Sequence, residues 1–167
     1  PGYIPWLGFW DQMVRSDTFV IYDDVQYDKG GWRNRNRIKT AQGVRWLTVP
    51  VMSKGNRTSL VKDMQIDNST DWRDNHLKSI RQNYSKSPFF KDYFGIFEKI
   101  YSSPWEYLID VDLAFILDLK EALGIKTKIG FSSYLHIGGE GGQRLVDICL
   151  RLGADEFLEG SAGRNYL

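Results

Sequence analysis

The chain has a single cysteine, two histidines, almost no net charge and no long apolar run, and each of these shortages closes off a class of protein. Cys149 has no partner for a disulfide, which removes the small disulfide-stapled scaffolds and points to a reducing compartment. His76 and His136 lie far apart in sequence, too few and too scattered for a structural zinc site, so no metal is expected. Lys and Arg number 22 against 21 Asp and Glu, giving a formal charge of +1. No global field therefore draws the chain to nucleic acid or to an anionic membrane, and any basic site must be local. No run approaches the roughly 20 apolar residues that a membrane-spanning helix needs, and no signal-peptide pattern is present, so a cytoplasmic location is expected.

What is present is a core. With 42% hydrophobic and 14% aromatic residues in 167, the composition suits one folded domain. Leu7, Phe9, Trp10, Met13 and Val14 mark a helical face, followed by the β-branched run Thr18 to Tyr22, short enough for a buried strand. Gly43 to Val51 alternates Val44, Trp46 and Thr48 against Arg45, Leu47 and Val49 and predicts an interior strand; Leu60 to Ile66 predicts another. Helices are predicted from Trp72 to Tyr84 behind a Ser69 or Thr70 cap, from Ser87-Pro88 through Phe90, Phe94, Phe97 and Tyr101, and from Trp105 to Leu123 with its stop at Gly124. Lys128 to Phe131 reads as a strand, Gly142 to Leu152 as a helix ended by Gly153, and Asp155 to Glu159 as a further strand, so that the last three form a βαβ unit. Cys149 shares a helical face with Leu145, Ile148 and Leu152 and reads as core. The expected class is α/β, a mainly parallel sheet flanked by helices in a single domain over residues 1–167. The loop-like Pro1 to Gly8 and Gly160 to Leu167 read as cut ends.

Polar recognition groups crowd into residues 23 to 39. Asp23 and Asp24 follow a buried strand, where a carboxylate can act as a general base, hold an amine or cap a turn. Neighbours in extended chain point to opposite faces, and Asp24 is the preferred catalytic candidate of the two. Gln26 and Tyr27 add an amide and a phenol in the same loop. In Trp32-Arg33-Asn34-Arg35-Asn36-Arg37 an extended backbone would put Arg33, Arg35 and Arg37 on one face and Asn34 and Asn36 on the other. Three guanidinium groups side by side call for an anion such as phosphate or carboxylate, the alternative being a solvated edge strand. The asparagines suit sugar hydroxyls or the loop's own backbone. Trp32 and Tyr3 offer planes for a sugar or base, while Trp6 suits packing beneath the loop. His76 is a candidate acid or base on a helix, or a satisfied core residue. His136 opens a glycine-rich stretch that is similar to the His-Ile-Gly-His signature of adenylyl-transferring enzymes, but Gly139 replaces the second histidine. Ser161 and Arg164, in a small-residue loop after the last predicted strand, could complete a binding site.

Taken together, Tyr-Ile-Pro-Trp-Leu-Gly-Phe-Trp-Asp-Gln (3–12), Asp-Asp-Val-Gln-Tyr-Asp-Lys (23–29), Trp-Arg-Asn-Arg-Asn-Arg-Ile-Lys-Thr (32–40), Trp-Leu-Thr-Val-Pro-Val (46–51) and Gly-Ser-Ala-Gly-Arg-Asn-Tyr-Leu (160–167) resemble the WbqC-like protein family. The resemblance implies a bacterial protein of O-antigen or other surface-polysaccharide biosynthesis, and a transferase that places an acyl or aminoacyl group on a nucleotide-activated amino sugar. It also implies a preceding strand and a following tail outside residues 1–167. On that expectation Asp24 orients or deprotonates the acceptor, the Arg33 to Arg37 segment holds phosphates or a donor carboxylate, and Ser161 with Arg164 completes the pocket. No spacing names a cofactor. Two rivals stand beside this reading: single-stranded nucleic-acid binding through Trp32 and the arginines, which the charge balance and Asp23, Asp24 and Asp28 oppose, and a non-catalytic sugar-binding or scaffold role.

Overall fold

The computed structural model describes residues 1–52 and 58–160. They form an α/β structure with six helices, a parallel strand pair and an antiparallel hairpin. The chain divides into two compact units: the first comprises Pro1–Pro5 and Val25–Gly124, the second Trp6–Asp24 and the residues from Ile125 onward.

The second unit carries α1 (Leu7–Val14), β1 (Thr18–Ile21), β4 (Lys128–Phe131), α5 (Ser132–Leu135) and α6 (Gly141–Leu152). β1 and β4 pair in parallel, Thr18 opposite Lys128 and Ile21 opposite Phe131, so both strands end on the same side. Asp23 and Asp24 leave one strand there, and Ser132 and Ser133 leave the other. α6 stops at Gly153, whose φ of +65° lets Ala154 donate to the Cys149 carbonyl at 2.9 Å in a left-handed helix stop. The parallel pair is thus formed by β1 and β4, and not, as the βαβ pattern predicted, by β4 and residues 155 to 159. That last segment is exposed and carries no strand. Trp6 is 67% exposed and lies over Gly8, where an added Cβ would fall 2.2 Å from its ring, instead of packing inward.

The first unit is built on β2 (Arg35–Thr40), β3 (Gly43–Thr48), α2 (Trp72–Tyr84), α3 (Phe90–Ser102) and α4 (Leu108–Ala122). Its core gathers Tyr3 from the opening loop, Leu47 of β3 and Val49 just after it, and Trp72, Phe94, Tyr101, Val111 and Phe115 from the helices. The predicted helices thus hold, although α4 begins at Leu108 and α2 receives no side-chain cap from Ser69 or Thr70; the Ser69 amide instead donates to the Asp67 carboxylate at 3.0 Å. Leu60 to Ile66 is not a strand. Val61 donates to the Val25 carbonyl and Asp63 to the Leu60 carbonyl, so a short 3-10 turn at Val61–Asp63 takes the bonds a ladder would need. β3 pairs with β2 in an antiparallel hairpin, and its Val44 and Trp46 face is exposed, not interior.

Candidate functional site

Two polar constellations stand out, one in each unit. In the second unit Asp23 is buried and its carboxylate accepts from the Ser133 amide at 3.0 Å and from the Ser133 hydroxyl at 2.7 Å. Ser132 is fully buried between the two aspartates. Its Oγ accepts from the Asp23 amide at 3.2 Å and lies 3.0 Å from Asp23 Oδ1 and 2.5 Å from Asp24 Oδ1. A hydroxyl has one proton to give, and the shorter contact directs it to Asp24. The second oxygen of Asp24 meets Arg144 Nη2 at 2.6 Å, with both side chains largely buried. Arg144 is anchored by its Nε donating to the Ile137 carbonyl at 3.0 Å, and its guanidinium stands 5.0 Å from the Tyr22 ring centroid. Burial pushes the Asp24 carboxyl up, but the hydrogen bonds from Ser132 and Arg144 and the Arg144 charge outweigh it and leave its pKa lowered. Asp24 is therefore an ionised, oriented carboxylate at the parallel strand ends. Ser132 and Arg144 were not singled out from the sequence; the signals were a serine pair leaving a strand and an arginine four residues before Ile148 on the inward face of α6.

In the first unit the hairpin register puts Arg35 opposite Thr48 and Arg37 opposite Trp46. Arg35, Arg37, Trp46 and Val44 therefore share one face; the alternation within each segment was expected, and their pairing was not. Trp32 is 50% exposed and Trp46 42% exposed, with ring centroids 5.2 Å apart. The Arg35 guanidinium stands 4.5 Å over Trp46, and that of Arg37 5.0 Å from Trp32 and 5.5 Å from Trp46. Arg33 does not join them in seeking an outside anion: it pairs with Asp28. Arg35 is steadied by the Gly30 and Gly31 carbonyls. An added Cβ at Gly31 would lie 1.8 Å from Asp28 Oδ2, so a larger residue there would push the Asp28 side chain from its present place beside Arg33. Asn34 donates to the Val49 carbonyl at 2.8 Å and Asn36 to the Ile4 carbonyl at 2.7 Å, so both asparagines bind backbone. Gln26 is exposed and bridges to Leu60. From the sequence, Trp46 reads as a strand residue only.

Beneath this surface Tyr3 is fully buried, its ring edge-on to Phe115. Its hydroxyl contacts His76 Nδ1 at 2.8 Å and the Tyr101 hydroxyl. Burial above all, and the Arg45 charge, push the His76 pKa down to about 4, against a backbone hydrogen bond with Thr48 that raises it. A neutral His76 accepts from Tyr3, which in turn accepts from Tyr101. Because its folded pKa lies below the ordinary 6.5, His76 contributes stability that is complete above pH 6.5 and is lost as pH falls toward 4. Between pH 6.5 and 5 the loss is on the order of 2 kcal/mol. Urea midpoints across that interval should fall in the wild type and fall less in His76→Gln; parallel profiles would show that His76 is not the titrating group. Close by, Asp112 on α4 is fully buried, and neither carboxylate oxygen has a hydrogen-bond partner. The sequence signal for Asp112 was an acid with Leu108 four residues before and Ile116 four residues after it, on a face that is otherwise apolar.

Ser161 and Arg164 lie outside the described residues. His136 is exposed with φ of +53° at the end of α5. Among the described residues no group of three or more His, Cys, Asp or Glu side chains could hold a metal ion, and no helix is long and apolar enough to cross a membrane.

Set beside known proteins, the chain matches the WbqC-like protein family model over residues 1–167. It is 36% identical over 167 residues to an uncharacterised protein of Mycobacterium tuberculosis, an alignment covering 99% of this chain and 72% of that protein. No solved structure matches it. A family model that spans the whole length, together with a relative of this identity, decides the assignment: the chain belongs to the WbqC-like protein family.

Proposed function

We propose that this protein is an acyl or aminoacyl transferase acting on a nucleotide-activated amino sugar in bacterial surface-polysaccharide biosynthesis. The observation that carries the reading is the exposed face of Trp32, Trp46, Arg35 and Arg37, where each guanidinium stands within 5.5 Å of an indole plane. Aromatic planes take a nucleobase or the apolar face of a sugar, and guanidinium forks take a diphosphate. Family membership supports the choice of a sugar nucleotide over other planar anions. Asp24 is a separate polar point of the second unit: as a carboxylate already ionised and fixed by Ser132 and Arg144, it would orient an amine or hydroxyl more readily than exchange protons with it. Single-stranded nucleic acid is the second reading, favoured by the same stacked face.

Binding is tested by tryptophan fluorescence with UDP, UDP-glucosamine and a short oligonucleotide. UDP is expected to quench the exposed indoles. Arg35→Ala and Arg37→Ala are each expected to weaken it about 10-fold, and Trp46→Ala by about 10-fold, the size of one lost stacking contact. Oligonucleotide binding that falls steeply with salt, without a response to either nucleotide, would transfer the face to nucleic acid. Mass spectrometry of the protein incubated with UDP-glucosamine and acyl or aminoacyl donors tests turnover. No mass gain across donors would leave a binding protein.

A further inference from the structure

We propose that the sugar of the nucleotide held at the hairpin face carries a carboxylate, which Lys39 receives at the outer end of that face. Lys39 thus adds the class of sugar to the sugar-nucleotide reading, on which its role rests. Charge is unevenly spread along the chain. No Asp or Glu stands between Asp28 and Asp63, although the formal charge of the whole sequence is only +1, and this acid-free interval contains the entire hairpin. The register sets Arg35 across from Thr48, Arg37 across from Trp46 and Lys39 across from Val44. Alternate residues of a strand share a face and lie roughly 6.6–6.8 Å apart, so Arg35, Arg37 and Lys39 form a row about 13 Å long. Arg33 is held by Asp28, and Lys39 is the third cation of the row in its place. Among the described residues neither Arg37 nor Lys39 meets a carboxylate in an ion pair. A diphosphate accounts for Arg35 and Arg37, whose guanidinium forks suit it. It leaves Lys39, whose ammonium is a compact point charge suited to a single carboxylate.

The order of groups along the face decides where the third charge falls. Both indoles lie at the level of the arginines, with Arg35 over Trp46 and Arg37 beside Trp32 and Trp46. One step further out the cross-strand pair is Lys39 and Val44, and Val44 is 68% exposed. A base on the indoles, a diphosphate on the arginines and the apolar face of a sugar over Val44 follow in that order. A carboxylate on the side of the ring away from the phosphate then reaches the Lys39 ammonium. This end of the hairpin is fixed by its own bonds. The Lys39 amide donates to the Tyr84 hydroxyl at the end of α2 at 2.9 Å, and Thr40 Oγ1 donates to the Gly43 carbonyl at 2.8 Å and accepts from the Gln42 amide at 3.2 Å. A lysine that only keeps an edge strand from pairing with another chain would be indifferent to the sugar, and that difference can be measured.

The experiment titrates the tryptophan fluorescence with UDP, UDP-glucose and UDP-glucuronate, two sugar nucleotides that differ only in the carboxylate. UDP-glucuronate is expected to bind the wild type about threefold tighter than UDP-glucose, the size of one exposed ion pair, and the preference should shrink as salt is added. Lys39→Gln should bring the two affinities together, and Lys39→Glu should reverse their order. Lys126→Gln, which removes the same charge from an exposed position in the second unit, should keep the wild-type preference. Equal binding of the two sugar nucleotides by the wild type, or a preference that survives in Lys39→Gln, overturns the acidic sugar and leaves the sugar-nucleotide reading in place. No binding of any of the three ligands overturns that reading, and the acidic sugar falls with it.

Discussion

Arg144→Ala is expected to lower the stability of the protein by about 3–5 kcal/mol, the cost of leaving a buried charge without its partner. The side chains of Arg144 and Asp24 are 7% and 17% exposed and meet at 2.6 Å, so solvent cannot take over the contact as it does for a surface pair. Removing the guanidinium also takes the donor from the Ile137 carbonyl and the cation from the Tyr22 ring, which tie α6 and its preceding loop to the end of β1. Arg144→Lys keeps a charge but not the fork that reaches Asp24 and Ile137 together, and should recover only part of the loss. Asp24→Asn in the Arg144→Ala background should recover more, because it removes the stranded carboxylate itself, and the double-mutant cycle isolates that coupling. Urea denaturation followed by fluorescence measures all of these proteins. A loss below about 1 kcal/mol in Arg144→Ala would mean that Asp24 finds other donors and that the pair does not hold the strand end. The pH dependence has a fixed sign. The lowered Asp24 pKa contributes stability that is present above the ordinary carboxylate value and is lost as pH falls through the folded one, and Arg144→Ala should shrink that acid-side loss.

Helices were the legible part of this fold because their signals are local. A Ser-Pro start before α3, a glycine after α4 and another after α6, and a stripe such as Phe90, Phe94, Phe97 and Tyr101 each need only neighbouring residues. Alternation marked β3 and put Arg35 and Arg37 on one side of their segment, but the hairpin that adds Trp46 to that face was not expected. Pairing was not legible. Asp155 to Glu159 has the composition of a strand, yet a strand exists only by virtue of a partner, and β4 found β1, more than a hundred residues earlier in the chain. Leu60 to Ile66 failed for the opposite reason, since local turn bonds competed successfully with the ladder. At the candidate sites, the sequence placed Asp24 at a strand end and the arginines on one face but could not supply what touches them. That Arg144 holds Asp24 and that Asp28 neutralises Arg33 are facts of tertiary placement. Three arginines in a row suggest unrelieved repulsion only while the charges along the strand are counted alone, and the counter-charge sits five residues upstream of Arg33.

Asp112→Asn is expected to stabilise the protein at neutral and mildly alkaline pH, by about 1–3 kcal/mol or several degrees in thermal midpoint. The wild-type carboxyl has two options in the folded state, to remain charged without a donor or to take up a proton. Burial drives it to the second, overcoming the opposing charge of Arg33, while the phenols of Tyr3 and Tyr27 are neutral. Holding a proton on a group that is ionised in the unfolded chain costs about 1.4 kcal/mol for each pH unit above the ordinary carboxyl value, until the folded pKa is reached. Asparagine has no such cost but brings an amide that is itself unsatisfied, which returns about 1–3 kcal/mol of the gain. The direction with pH follows from the raised folded pKa. The Asp112 contribution is fully present below the unfolded pKa and is lost as pH rises toward the folded value, so the advantage of the variant should grow from pH 4 to pH 7 and narrow on acidification. His76 titrates in the opposite sense over part of this range, but it is present in both proteins and cancels in their difference. Paired urea unfolding curves for wild type and Asp112→Asn at several pH values from about 4 to 8 measure that difference directly. A variant that is less stable than wild type at pH 7, or a difference that does not change with pH, would show that the carboxylate is ionised and compensated in the fold, in which case a donor must reach it in the unliganded protein.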